Sequence, residues 1–398
     1  MDTFTTFANY AKEYLDIISN FVHNYIVVSP KKTIVSIVLV MFLFATAGIT
    51  YKVVHTTDPY TTQAPPQLPN PPLKILADRR GIQIGSFASL KYLRERAYGG
   101  ILSSEFNYAI IDGEPNWRFE DFNLRPSKDK FDFTHLDKVF DFADQNDMPV
   151  RVQHLLWGDA KWLPDWLIKE NFSREQLLDI IRDHIFTVEA RYKARVREYS
   201  VVNEAFSRKL ITGGNHDWWG EKLGNEYIDN AFIWARQADP NAILILNDFG
   251  NETEGDISNL MYDYIKDAKS RGIPIDAIGM QMHISGTNAP TKEKVVSNMR
   301  RLSTLGIKIY VTEFDVNMHD VKGSDKDKEE RQAEIYSDML GACLEVGPRI
   351  CPNFGFLGLV DRQSWYNGLG IHDANPLLFR DDYSPKPAFY AIRAILEK

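Results

Sequence analysis

The sequence predicts an α/β fold: a (β/α)8 barrel of the TIM type, preceded by an N-terminal transmembrane helix and a Pro/Thr-rich linker. The first observation behind the barrel is an alternation that begins at residue 75, in which short β-branched apolar runs are followed by amphipathic helical segments. Such alternation favours parallel strands joined by right-handed crossovers. The second observation is that there are eight such runs, the number that a closed barrel of this type requires.

The predicted elements follow one another with short connections, as strand–helix units do. The predicted strands are Ile82–Phe87, Tyr108–Asp112, Val150–Leu156, Tyr199–Glu204, Ala242–Phe249, Ile275–Ile284, Lys308–Val316 and Phe354–Asp361. The predicted helices are Leu136–Gln145, Arg174–Tyr192, Glu226–Ala238, Ile257–Ser270, Lys292–Leu305 and Arg331–Leu344. Residues 74–398 therefore form the predicted barrel domain.

An apolar stretch near the N-terminus predicts a membrane anchor at residues 33–54. Thr33–Tyr51 carries no charge and is nearly all apolar, and a helix of that length spans roughly 30 Å of hydrocarbon. Lys31 and Lys32 precede it, so the positive-inside rule places residues 1–32 in the cytoplasm and the barrel domain outside. The alternative is a cleaved signal peptide, because residues 45–47 (Ala-Thr-Ala) fit a cleavage site.

The composition indicates a spacer, disfavours one class of partner and limits the roles of the two cysteines. Residues 55–73 are rich in Pro and Thr and predict an extended spacer. A formal net charge of −8 disfavours nucleic acid as the main partner. The two cysteines, Cys343 and Cys351, lack metal-site spacing; they predict one local disulfide in an exported domain, or two inert thiols otherwise.

Polar side chains stand at the carboxyl ends of the predicted strands, where barrels of this class carry their chemistry. Val201 and Val202 lead directly into Asn203 and Glu204, and the strand at 308–316 carries Glu313 and Asp315. A buried strand has little reason to end on such groups unless they are used. The other polar or aromatic residues at strand ends are Glu114, Gln153, His154, Trp157, Asn247, Asp248, Gln281, His283, Asp361 and Trp365.

The types of side chain at these ends point to carboxylate chemistry. The sequence has no compact metal-ligand set, no Gly-rich phosphate loop and no serine nucleophile elbow at these positions. Two carboxyls that flank a glycosidic bond can divide its hydrolysis, one as general acid and the other as nucleophile. We therefore expect Glu204 and Glu313 to form such a pair.

At these residues the sequence resembles the family-10 glycoside hydrolases, which are xylanase-type (β/α)8 barrels. The resemblance covers residues ~80–398. VVNEAF (201–206) resembles the acid/base motif of the family and VTEFD (311–315) its nucleophile motif, while NDF (247–249) and IGMQMH (278–283) resemble its strand-5 and strand-6 motifs. Cys343 and Cys351 also fall where many members have a disulfide.

The resemblance implies a role for each matching residue. Glu204 would be the acid/base and Glu313 the nucleophile. Asn203 would bind the sugar 2-hydroxyl, and His283 would bind Glu313 while Asp315 orients it. The remaining residues would line the sugar subsites: Glu114, Arg118, Gln153, His154, Trp157, Asn247, Gln281 and Trp365.

The sequence departs from the family pattern around the sugar that would be cleaved. Pro115 and Arg118 stand where the strand-2 motif has Asn and Lys, and Arg does not keep the shape of Lys. The histidine of the family aligns with Gln153, and His154, one residue on, would face the other side of a regular strand. Leu357 aligns with a tryptophan of the family.

The sequence thus predicts a membrane-anchored, outward-facing retaining endo-β-1,4-glycosidase that acts on xylan. We expect it to be a monomer that requires no cofactor or metal. The alternatives are a related barrel enzyme acting on another β-glucan or an envelope glycan, and a non-catalytic carbohydrate-binding protein. Retention of both glutamates disfavours the binding protein.

Overall fold

The computed structural model describes residues 62–113, 115–119, 122–208 and 217–398, which belong to one compact unit, Tyr60–Lys398. No helix within these ranges is long and apolar enough to cross a membrane. The transmembrane helix predicted at 33–54 and the first part of the predicted linker, residues 55–61, lie outside the described residues, so the anchor stays a prediction. Residues 62–72 of the linker are described and contain neither helix nor strand.

Eight parallel strands close into a barrel, which confirms the predicted fold class. The order around the barrel is β1-β2-β3-β4-β5-β6-β8-β9, and β9 pairs back with β1. The short strand β7 pairs only with the end of β8. The strands are β1 Gln83–Phe87, β2 Tyr108–Asp112, β3 Val150–Trp157, β4 Val196–Asn203, β5 Ile243–Asp248, β6 Ala277–Met280, β7 His283–Ser285, β8 Lys308–Asn317 and β9 Asn353–Phe356.

Helices surround the barrel, and the longer ones bury an apolar stripe, as in α6 (Arg174–Tyr192), whose Ile181, Ile185 and Val188 are fully buried. Capping boxes at Ser173 and Ser324 satisfy the free N–H groups at the starts of α6 and α11. The helices are α1 Leu73–Arg79, α2 Leu90–Leu93, α3 Arg96–Glu105, α4 Thr134–Gln145, α5 Asp165–Lys169, α6 Arg174–Tyr192, α7 Trp218–Leu223, α8 Glu226–Ala238, α9 Asp256–Ser270, α10 Lys292–Ser303, α11 Asp325–Val346 and α12 Pro387–Glu397.

Three of the differences between the observed and predicted strand bounds coincide with positive backbone φ angles. The strand predicted at 275–284 is broken into β6 and β7, because Met282 adopts a left-handed conformation with φ 59°. The predicted fourth strand ends one residue early, since Glu204 also has positive φ (57°). The last strand ends at Phe356 rather than Asp361, and Gly358 follows with φ 157°. Apolar runs do not show where a backbone leaves the extended region.

The barrel interior contains a polar layer below the strand ends. Arg151 is fully buried, donates to the carbonyl oxygen of Thr312 at 2.6 Å, and lies over the ring of Tyr108. Burial raises the pKa of Glu198, and the nearby Arg151 acts against that rise. This layer connects β3 to β8 directly beneath Glu313, the next residue after Thr312.

The two cysteines are joined. Cys343 on α11 and Cys351 before β9 form a disulfide, and both are fully buried. Of the two alternatives that their spacing left open, the structure contains the bond.

Candidate active site

The predicted catalytic pair lies at the carboxyl end of the barrel. Glu204 follows the last residue of β4, and Glu313 lies on β8. Both side chains are largely buried, with residue exposures of 8% and 7%. The left-handed backbone of Glu204, with φ 57°, is uncommon for a residue other than glycine and is typical of functional positions.

A continuous hydrogen-bond network joins the two carboxyls. Asn247 Nδ2 donates to Glu313 Oε1 and to Asn203 Oδ1, each at 2.8 Å. Gln281 Nε2 donates to the same Asn203 oxygen at 3.1 Å and to Glu204 Oε1 at 3.2 Å. The five residues come from the ends of four strands, so closure of the barrel assembles the network.

Two small neighbours set the orientation of Asn247. Thr312 Oγ1 donates to Asn247 Oδ1 at 2.7 Å, which leaves the amide nitrogen to face Asn203 and Glu313. Gly279 on β6 leaves room for that amide, because a Cβ at this position would lie 2.0 Å from Asn247 Oδ1. Sequence reasoning missed both roles, because the residue pattern does not show that Thr312 reaches Asn247 and because Gly279 has no side chain to mark it.

Glu313 is held by groups that stabilise its charge. His283 Nε2 lies 3.6 Å from Glu313 Oε2, while His283 Nδ1 lies 3.2 Å from Asp315 Oδ1. Trp365 Nε1 donates to Asp315 Oδ2 at 2.9 Å. Burial would lower the pKa of His283, but Asp315 and Glu313 raise it well above its usual range. Burial would raise the pKa of Glu313, but the contacts with His283 and Asn247 bring it below its ordinary value. A carboxylate of this kind is ionised and suited to attack.

Glu204 has the opposite electrostatic setting. Burial raises the pKa of its carboxyl, and the charge of Glu313 raises it further, whereas Arg208 and Gln281 act against that rise. Trp157 Nε1 donates to Glu204 Oε2 at 2.9 Å. Two neighbouring carboxyls with pKa values pushed apart are the arrangement that divides an acid role from a nucleophile role.

Asp248 supports the turn that presents Glu204. Its carboxylate accepts hydrogen bonds from the backbone N–H of Phe206 at 2.8 Å, Ser207 at 3.3 Å and Phe249 at 2.9 Å. Burial raises the pKa of Asp248 to about 7, and the side chain of Ser207 and the backbone N–H of Phe206 act against that rise. The sequence placed Asp248 at a strand end but did not indicate that it holds this turn.

Two of the predicted subsite residues on β3 are buried beside the pair. Gln153 is fully buried, and neither of its amide atoms has a hydrogen-bond partner among the described residues. The pairing register of β3 with β4 shifts after Gln153, so the strand is not regular there. His154 Nε2 lies 3.5 Å from Asp112 Oδ1, and its ring lies 5.5 Å from that of Trp157. The expectation based on regular alternation therefore does not apply to His154.

Burial lowers the pKa of His154 to about 4, despite the opposing charge of Glu313, so this imidazole is neutral at pH 7. Asn203 Nδ2 is also buried and has no partner in the described part of the chain. With Gln153, these groups give the site unused hydrogen-bonding capacity, which a polar ligand such as a sugar would satisfy.

The strand-2 and strand-8 candidates are placed differently. Arg118 has an exposed side chain and pairs with Asp165 of α5 at 3.1 Å, and no described contact joins it to the catalytic pair. Glu114 lies outside the described residues. Leu357 packs inside the barrel against an apolar group. The members of this group are Phe87, Tyr108 and Ile110.

Comparison with known proteins identifies the family of the chain. The family model of glycosyl hydrolase family 10 matches residues 72–395. The chain is a family-10 glycosyl hydrolase. Endo-1,4-beta-xylanase B of Thermotoga neapolitana is 35% identical over 332 residues, which cover 82% of this chain and 92% of that enzyme. A beta-1,4-xylanase of Dictyoglomus thermophilum is 30% identical and covers 77% of this chain and 86% of that protein.

Solved structures extend the comparison to three dimensions. Xylanase 10B of Thermotoga petrophila in complex with xylobiose superimposes with a TM-score of 0.76 at 34% identity, and the match covers 83% of this chain and 99% of that chain. Native xylanase 10B of Thermotoga maritima gives a TM-score of 0.75 at 35% identity, covering 82% of this chain and 98% of that chain. The family-10 chain is thus a xylanase-like glycoside hydrolase.

Proposed function

We propose that this chain is a retaining endo-β-1,4-glycosidase that hydrolyses xylan. The observation that carries the proposal is the network that joins Glu204 to Glu313, in which the first carboxyl has a raised pKa and the second a lowered one. Membership of glycosyl hydrolase family 10 and similarity to the xylanases of Thermotoga support xylan as the substrate.

The proposed reaction has two steps. In the first, Glu313 attacks the anomeric carbon while Glu204 transfers its proton to the departing glycosidic oxygen, which gives a glycosyl-enzyme. In the second, Glu204 takes a proton from water, the water oxygen bonds to the anomeric carbon, and the bond to Glu313 breaks. Two displacements at one carbon retain its configuration.

A second substrate is favoured by the altered pocket. Leu357 is smaller than the tryptophan that the family pattern has at this position, and Gln153 replaces a histidine. Smaller or differently polar walls change which ring substituents fit beside the catalytic pair. Mixed-linkage β-glucan or another β-1,4-linked polymer is therefore the alternative substrate.

The test is reducing-sugar release by the full-length chain from xylan, mixed-linkage β-glucan, carboxymethyl-cellulose and mannan. We expect release from xylan, with the β-anomer appearing first when fresh product is followed by proton NMR. Release from another polymer alone would replace xylan by that polymer. Release of the α-anomer first would exclude the double displacement, and no release from any polymer would exclude the proposed activity on these substrates.

A further inference from the structure

The two oxygens of Glu204 face different surroundings. Oε1 lies 3.2 Å from Gln281 Nε2, on the side of the network that leads through Asn203 to Glu313. Oε2 has other partners and accepts from Trp157 Nε1 at 2.9 Å. The reacting sugar has to contact Glu313, so Oε1 is the oxygen that exchanges the catalytic proton, and Oε2 is the outer oxygen.

Arg208 contacts the outer oxygen of Glu204 through two of its nitrogens. Its Nη2 lies 2.5 Å and its Nε 2.6 Å from Glu204 Oε2. Its guanidinium also lies over the Trp157 ring, 5.5 Å from the ring centroid, and its Nη1 is 3.2 Å from Asp159 Oδ2. The arginine is therefore fixed from three sides at a charged group that the two-carboxyl reaction does not by itself require.

The charges around Glu204 act in opposite directions. Burial is the largest influence that raises the pKa of Glu204, and the negative charge of Glu313 adds to it. Asp248, on the neighbouring β5, is coupled to Glu204 in the same repulsive sense. Arg208 is the main positive charge that opposes these influences. Asp159 pairs with Arg208 and partly neutralises it.

We propose that Arg208 is a positioning residue for the reaction: it holds the outer oxygen of Glu204 and, restrained by Asp159, balances the acid role of Glu204 against its base role. An ion pair with arginine stabilises the ionised form of a carboxyl group. It therefore favours the second step, in which Glu204 removes a proton from water. It opposes the first step, in which Glu204 must donate one to the leaving oxygen.

This inference rests on the proposed function, and it makes two variants move in opposite directions. In Arg208→Gln the pKa of Glu204 rises, so the alkaline limb of the kcat/KM profile moves to higher pH by about one to three pH units. In Asp159→Asn the positive charge of Arg208 is no longer compensated, so the same limb moves to lower pH by a smaller amount. Asn keeps a polar oxygen where Asp159 accepts from the Lys161 N–H.

Two further variants separate charge from structure. Arg208→Lys keeps the charge without the two-pronged contact of the guanidinium. The alkaline limb of its kcat/KM profile should lie between those of the wild type and Arg208→Gln. Arg271→Gln removes an exposed arginine on the segment after α9 that pairs with Asp229 and Asp267, and it should leave the limb unchanged. A merely structural role for Arg208 would lower activity at every pH without moving the limb.

A direct titration makes the outcome independent of turnover. The full-length chain is labelled with ¹³Cδ glutamate, and the Glu204 resonance is assigned by its loss in Glu204→Gln. Its midpoint should rise in Arg208→Gln and fall in Asp159→Asn. Equal midpoints in all variants, or shifts in the same direction, overturn the inference. An inactive wild type would refute the proposed function alone, because the titration would still decide the role of Arg208.

Discussion

Glu313 and Glu204 are buried carboxyls at the same end of one barrel, yet different neighbours surround them. Glu313 contacts side chains that belong to strands, Asn247 on β5 and His283 on β7. Glu204 is held by Arg208, which follows it by four residues, and by Trp157 at the end of β3. The first setting is formed by residues of strands, and the second combines the end of β3 with the turn that follows β4.

This difference shows why two similar carboxyls titrate in opposite directions. Burial raises the pKa of each, so burial cannot distinguish them. Glu313 receives the compensating contact of His283, which Asp315 keeps charged, and its pKa falls below the ordinary value. Glu204 faces the negative charge of Glu313, and its pKa stays raised even though Arg208 is in contact.

The largest expected loss of activity comes from removing the carboxyl of Glu313. Glu313→Ala deletes the proposed nucleophile, so hydrolysis should fall by at least about 10⁴-fold on xylan and on aryl glycosides alike. Initial rates on both substrates measure the loss, and calorimetric binding of xylo-oligosaccharides should persist. Glu330→Ala, which removes an exposed glutamate on α11, is the matched control and should retain full activity. Hydrolysis by Glu313→Ala at the wild-type rate would show that the nucleophile has been assigned wrongly.

A smaller and more selective effect is expected at the other carboxyl. Glu204→Ala should lower kcat on xylan by about 10² to 10⁴-fold, because the leaving oxygen no longer receives a proton. A dinitrophenyl glycoside needs no such proton, so its first step should survive and glycosyl-enzyme should accumulate. Azide, a nucleophile that needs no base, should then restore turnover and yield a glycosyl azide. Equal losses on both substrates without azide rescue would contradict the acid/base role.

The barrel and the positions of the pair could be predicted because they depend on local pattern. β-branched runs that end in Asn203-Glu204 or carry Glu313 show both the strand and the polar group at its end. Closure of a parallel barrel then brings strand ends together whatever their separation in sequence. For this reason Asn203, Asn247 and Gln281 were predicted beside the glutamates and lie in one network with them.

The remaining contacts depend on backbone geometry that the residue pattern does not show. Arg208 stands four residues after Glu204, a spacing that brings side chains together on a helical turn, and this signal was available but unused. Asp159 reaches Arg208 from another loop, so no sequence spacing indicates it. The irregular register of β3 placed His154 beside Trp157 against the expectation of strict alternation.

A third buried carboxyl, on α6, has no hydrogen-bonded arginine among the described residues. Glu189 on α6 is fully buried, and neither carboxyl oxygen has a hydrogen-bond partner among the described residues. Burial and then the charge of Asp239 raise its pKa to about 9, although Arg236 and Lys193 act against that rise. Glu189 is therefore a buried carboxyl with a raised pKa and no hydrogen-bonded cation in the described part of the chain, in contrast to Glu204 with Arg208.

The consequence is a dependence of stability on pH. Folded Glu189 keeps its proton while the unfolded chain loses it above about pH 4.5, so this residue lowers the free energy of unfolding as pH rises towards 9. The slope is about 1.4 kcal/mol per pH unit across that window. Glu189→Gln keeps the shape without the titration, so its advantage over the wild type should grow from pH 5 to pH 8.5 in denaturant unfolding. Its kcat and KM should not change, and a constant difference in stability across this range would show that Glu189 is ionised in the folded chain.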